Sequence, residues 1–176
     1  MRIEEFNALS DAEVAAALRA CVDIDSWVTE LASGRPYDDT SQLLDAGRAQ
    51  VVGWATADVE AALADHPRIG ERAAPGSATA DHSKNEQAGV DPGDRDLAER
   101  LRDGNARYEE RFDRIYLVRA KGRSGAEMLA LLEQRLDNDP VTELEVTRQQ
   151  LGEIALLRLA DLIDADLIET DLEVAP

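Results

Sequence analysis

Apolar residues recur at intervals of three and four along most of the chain, and short polar side chains stand just ahead of the runs. Ser10-x-x-Glu13 is a capping box that opens DAEVAAALRACV. A short helix is expected around SWVTELA, then a turn at Ser33-Gly34-Arg35-Pro36, and Thr40 or Ser41 starts a helix through Trp54. Thr56 can cap TADVEAALAD, which must stop by His66 because Pro67 disfavours helix at the residue before it. Residues 70 to 82, GERAAPGSATADH, form one long irregular stretch rich in Ala, Gly and Pro. Loops of that length inside compact domains are often functional. A short helix is expected to begin at Ser83 and end near Gly89, before the turn Asp91-Pro92-Gly93.

Leu97, Leu101, Tyr108, Phe112 and Ile115 lie at helical spacing and predict one long helix from Asp94 to about Tyr116. Ser124-x-x-Glu127 is a second capping box, opening GAEMLALLEQRLDN. Asp139 caps the last helix, with Pro140 at its first position, and that helix is expected to run to about Ile163 before an acidic tail from about residue 164. No repeat, dividing linker or sustained strand alternation interrupts this series. The expectation is a single all-α domain over residues 1–176, a multi-helix bundle.

With 44% hydrophobic but only 4% aromatic residues, the core of such a bundle has to be mostly Leu, Ala, Val and Ile. The 19 basic residues are outnumbered by 37 acidic ones, for a net charge of −18. That balance repels nucleic acid and anionic membranes, whose binding needs basic surface. Lys84 and Lys121 are the only lysines, and an Asp-rich, Lys-poor chain suits a salty cytoplasm that screens its self-repulsion. No apolar run approaches the ~20 residues of a membrane span. MRIEEFNALSDAE is acidic where a secretory signal is basic, so a cytoplasmic location is expected. The lone Cys21 shares an apolar helix face with Val14 and Leu18, which reads as a buried structural thiol.

Familiar catalytic signatures are absent: Gly70 to Gly76 lacks the Lys-Ser/Thr of a phosphate loop, and there is neither a G-x-S-x-G elbow nor a Cys pair for zinc. Four features carry candidate chemistry. His66, in His66-Pro67-Arg68, either meets the dipole at a helix C-terminus or serves as an acid–base group. In Asp81-His82-Ser83-Lys84-Asn85-Glu86-Gln87, a helix would put Ser83, Glu86 and Gln87 on one face, although Ser-x-x-Glu is equally a capping box. Arg158 shares a stripe with Leu151, Ile154 and Leu162, and a core arginine requires a partner, either an acid such as Glu127 or an anionic ligand. The strip LVRAKGRS, 117 to 124, is a connector that could present backbone N–H groups. Asp65-His66 and Asp81-His82 repeat a dipeptide, but without helical His spacing they argue poorly for a metal.

Taken together, HPRIGE, Ser83-Lys84-Asn85-Glu86-Gln87 seventeen residues on, the NARYEERF region, ALLEQRLDN and IALLRLADLI resemble the OHCU decarboxylase family. FNALSDAE, Trp27 and RPY are also similar to its N-terminal pattern, so the resemblance covers about residues 5 to 163. It implies an all-α, cofactor-free enzyme, usually a homodimer. The implied activity converts 2-oxo-4-hydroxy-4-carboxy-5-ureidoimidazoline to (S)-allantoin in urate breakdown. By position, the family's catalytic histidine falls on His66. Its substrate contacts fall on Pro67, on Ser83, Lys84, Asn85, Glu86 and Gln87, on the backbone of Val118, Arg119 and Ala120, and on Arg158. Tyr37 stands where Phe is common, and Arg119 replaces a smaller residue. Functional coupling to a uricase and a hydroxyisourate hydrolase would follow from the same resemblance. Two rival readings are a metal-dependent hydrolase of a cyclic ureide that uses both histidines, and a non-catalytic helical binding module.

Overall fold

Five of the helices begin where a short acceptor side chain, Ser10, Asp39, Asp94, Ser124 or Asp139, takes up free amides of the first turn. Those that follow Arg2 and Ile24 have no side-chain cap of this kind. The computed structural model describes residues 1–64, 66, 68–69 and 94–163. The described residues form eight helices and no strand: α1 Ile3–Ala8, α2 Asp11–Cys21, α3 Asp25–Ser33, α4 Thr40–Val51, α5 Thr56–Leu63, α6 Arg95–Phe112, α7 Gly125–Arg135 and α8 Pro140–Ile163. The all-α expectation therefore holds. Both capping boxes close: Ser10 with Glu13 ahead of α2, and Ser124 with Glu127 ahead of α7. Asp139 Oδ1 accepts from Val141 N at 3.0 Å and Thr142 N at 3.1 Å, the cap expected before Pro140.

Three boundaries differ from the sequence expectation. α1 was not anticipated, since its six residues are too few to show a period. α4 is capped by Asp39 and stops at Val51 rather than Trp54. α6 stops at Phe112, because Asp113 adopts the left-handed conformation with φ 54° and turns the chain away. Ile115 and Tyr116 continue the apolar period by composition but lie beyond the helix. The expected helix from Ser83 to Gly89 lies outside the described residues. No helix among the described residues is long and apolar enough to cross a membrane.

The chain groups into two compact units, Met1–Ala55 with Gly152 onward, and Thr56–Leu151. In the first, Phe6, Val14, Leu18, Ile24, Trp27, Leu31 and Leu43 are essentially inaccessible. Trp27 Nε1 donates to Gly47 O at 3.1 Å, which satisfies the indole N–H inside the core. Gly47 lets α8 come close, for a Cβ there would stand 3.2 Å from Leu156. Tyr37 buries its ring and donates its hydroxyl to Leu31 O at 3.0 Å.

The second unit is built on Leu101, Tyr108, Phe112, Tyr116, Met128 and Leu132, drawn from α6, α7 and the segment between them. The Tyr108 ring packs against Phe112 and Tyr116 with centroids 4.8 Å and 5.3 Å apart. After Asp113 the chain runs without helix until α7, and Tyr116, Leu117, Val118 and Ala120 are buried on the way. That burial is the reason the strip is fixed in place despite lacking regular structure.

Candidate active site

α5 ends at Leu63, and the next turn carries His66, half-buried, at the point where Pro67 forbids more helix. The backbone N–H of His66 donates to Leu63 O at 3.0 Å. Its ring Nδ1 lies 3.0 Å from Ala62 O. A carbonyl can only accept, so Nδ1 carries the hydrogen in this contact, and the lone pair of the neutral ring belongs to Nε2. The helix end thus chooses the tautomer and aims the ring. Of the two readings of His66 drawn from sequence, the ring contact to a terminal carbonyl is the one seen here.

The residues after His66 are held by α6. Arg68 Nη2 donates to Glu109 Oε2 at 2.8 Å, while its Nε reaches Oε1 of the same carboxylate. This two-pronged contact holds the Glu109 carboxyl below the usual carboxylate range. One turn earlier, the buried Asn105 donates from Nδ2 to Ile69 O at 3.0 Å. Neither Asn105 nor Glu109 was singled out from sequence. A signal was available for Asn105, which falls in the stripe Leu101, Asn105, Tyr108, Phe112 as a polar residue among apolar ones.

Leu117, Val118 and Ala120 are buried, and two groups of the 117–120 backbone are held by side chains. Arg119 N donates to Gln150 Oε1 at 2.9 Å, and Leu117 O accepts from Arg135 Nη1 at 2.7 Å. Gln150 and Arg135 are further residues that sequence reasoning passed over.

Arg158, in the first unit, is 1% exposed and donates from Nη1 to Cys21 O at 3.3 Å. Glu127, a candidate acid for it, is engaged in the α7 capping box with Ser124. Cys21 is buried, and desolvation pushes its thiol up to about 12, as expected of a structural cysteine. Pro67, Ser83, Lys84, Asn85, Glu86 and Gln87 lie outside the described residues, as does His82. Among the described residues no three potential metal ligands gather.

The sequence pattern of the OHCU decarboxylase family matches residues 7–160. The chain is 34% identical over 121 residues to the uric acid degradation bifunctional protein TTL of Arabidopsis thaliana, an alignment covering 65% of this chain and 37% of that protein. It therefore spans little more than a third of that plant relative. It is 27% identical over 169 residues to the 2-oxo-4-hydroxy-4-carboxy-5-ureidoimidazoline decarboxylase of Haloferax volcanii, covering 94% of this chain and 98% of that one. Among solved structures, an OHCU decarboxylase crystallised in the presence of (S)-allantoin superposes with a TM-score of 0.69, covering 84% of this chain and 96% of the other at 24% identity. At that identity the likeness is one of fold.

Proposed function

The chain belongs to the OHCU decarboxylase family, and from that premise we propose that it is a carboxy-lyase. In this reading it converts 2-oxo-4-hydroxy-4-carboxy-5-ureidoimidazoline to (S)-allantoin in urate breakdown, with His66 as the proton-carrying group. The observation that supports this reading is the 3.0 Å contact between His66 Nδ1 and Ala62 O, which puts the hydrogen of the neutral ring on Nδ1, and Nε2 is the nitrogen proposed to take and return a proton.

The chemistry asks for little more. As the C–CO2 bond breaks, its electron pair forms a double bond to the neighbouring ring carbon, and the C=N electrons move onto nitrogen, which takes up a proton from water. The substrate is its own electron sink. The 4-hydroxyl then gives up its proton as the carbonyl forms, and the neighbouring carbon takes a proton on one face. Nε2 of His66 serves both proton steps, and orientation decides which mirror image results. Pro67 would stiffen the backbone beside the ring, and Ser83, Lys84, Asn85, Glu86 and Gln87 would meet the ureido N–H and C=O groups. The strip Val118, Arg119 and Ala120 would contribute backbone contacts from groups other than Leu117 O and Arg119 N, which are already bonded to Arg135 and Gln150.

Arg158 is proposed as the arginine that meets the anionic substrate, supported by its place in an apolar stripe. A clamp on the departing carboxylate would favour the ground state, so the role fits better on the ring or the developing oxyanion. Because the family pattern covers residues 7–160, one family domain is the simplest reading of the chain. A homodimer, a cytoplasmic place and coupling to a uricase and a hydroxyisourate hydrolase extend the same reading.

The test is to generate the substrate in situ from urate and follow circular dichroism with and without the protein. Faster appearance of an (S)-allantoin signal supports the proposal, and a trace equal to the spontaneous one defeats it. Loss of activity on chelation would favour the metal-dependent hydrolase instead.

A further inference from the structure

We propose that Asn105 and Glu109, one turn apart on α6, are positioning residues for this reaction, holding the backbone just after His66 so that its imidazole keeps one aim. The inference rests on His66 being the proton carrier. His66 is tied on its upstream side by two bonds to the end of α5, from its N–H to Leu63 O and from its ring to Ala62 O. On the downstream side, Ile69 O accepts from Asn105 Nδ2 at 3.0 Å, and Arg68 forms its two-pronged contact with Glu109. Residues 68 and 69 are not in a helix, so side chains do the anchoring that a backbone ladder would otherwise do.

The burial pattern separates this role from mere stability. Asn105 is 3% exposed, and Ile69, whose carbonyl it holds, is 5% exposed, so that anchor is fully enclosed. The Arg68 and Glu109 side chains are 42% and 30% exposed, and such a pair adds little to folding. Its two-point geometry, however, fixes direction as well as distance. The same helix also carries Tyr108, whose hydroxyl lies 3.3 Å from Arg135 Nη2, and Arg135 holds Leu117 O at 2.7 Å. One rigid helix therefore registers both the His66 segment and the 117–120 strip. Shifts of about an ångström in such a frame cost up to ~100-fold in rate.

The experiment measures kcat, KM and thermal midpoint for Glu109→Ala, Glu109→Gln and Asn105→Ser beside wild type and His66→Asn. Glu109→Ala is expected to lower kcat about tenfold or more, with KM within about twofold and a midpoint within about 4 °C of wild type. Glu109→Gln keeps acceptor oxygen and should recover part of the loss. Wild-type kcat in Glu109→Ala overturns the proposal, as does a kcat loss that only follows the fraction unfolded. If Asn105→Ser does not fold, Glu109→Ala alone decides. Full activity in His66→Asn would instead defeat the reading beneath it.

Discussion

Arg135 and Glu143 meet inside the second unit, with Arg135 Nη2 2.5 Å and Nε 2.8 Å from the same Glu143 oxygen. Glu143 is completely buried, and its other oxygen accepts from Asn138 Nδ2 at 2.8 Å. The Tyr108 hydroxyl donates to Glu143 as well, and Thr147 Oγ1 lies 3.2 Å from Arg135 Nη2. Every charge in the cluster has a partner, which is the condition for tolerating charges in a core. Removing one partner is predicted to be much worse than removing both. Glu143→Leu should lose about 3–5 kcal/mol of unfolding free energy, and Arg135→Met/Glu143→Leu together should lose less than either single change. Urea denaturation of the three variants checks this.

The tyrosines yield a pH prediction. Burial pushes the Tyr108 phenol up to about 12, and burial raises Tyr116 and Tyr37 too. In the unfolded chain a phenol ionises near pH 10, so above that the unfolded state sheds protons first. Stability should therefore fall as the pH rises from about 10 towards 12. All three tyrosines of the protein should resist ionisation near pH 10 while it stays folded. A spectrophotometric tyrosinate titration run beside unfolding curves measures both, and a normal titration of the native protein would contradict it.

Gly104 makes the opposite prediction from helix propensity. Replacing a mid-helix glycine by alanine ordinarily stabilises by about 1 kcal/mol. Here a Cβ would stand 2.7 Å from Leu132 Cδ2, and Leu132 is wholly buried. Gly104→Ala should thus destabilise, by about 1–3 kcal/mol of overpacking. An unchanged or raised thermal midpoint would show that Leu132 can yield.

How far the sequence could be read depended on how local each cause was. Ser10, Ser124 and Asp139 cap helices through bonds spanning two or three residues, so their motifs announced α2, α7 and α8. The end of α6 was misplaced because the left-handed turn is set at Asp113, while Ile115 and Tyr116 keep the apolar period going. His66 stood out through its proline, and Arg158 through its apolar neighbours. Asn105 and Glu109 did not, because their partners Ile69 and Arg68 are 36 and 41 residues away and pairing at that range leaves no spacing to count. The Arg135–Glu143 pair was missed for another reason. An eight-residue separation spans two helices and a turn, so neither side chain sits at an intrahelical interval from the other.

The most direct measurement compares wild type with His66→Asn during in situ generation of the ureidoimidazoline. Asparagine cannot exchange a proton near neutral pH, so the variant should fold with a thermal midpoint close to wild type yet lose most of the acceleration over spontaneous decay. The predicted result is a rapid (S)-allantoin dichroism signal from wild type alone. Equal signals from wild type and His66→Asn, both faster than the uncatalysed trace, would contradict the assignment of His66 as the proton carrier.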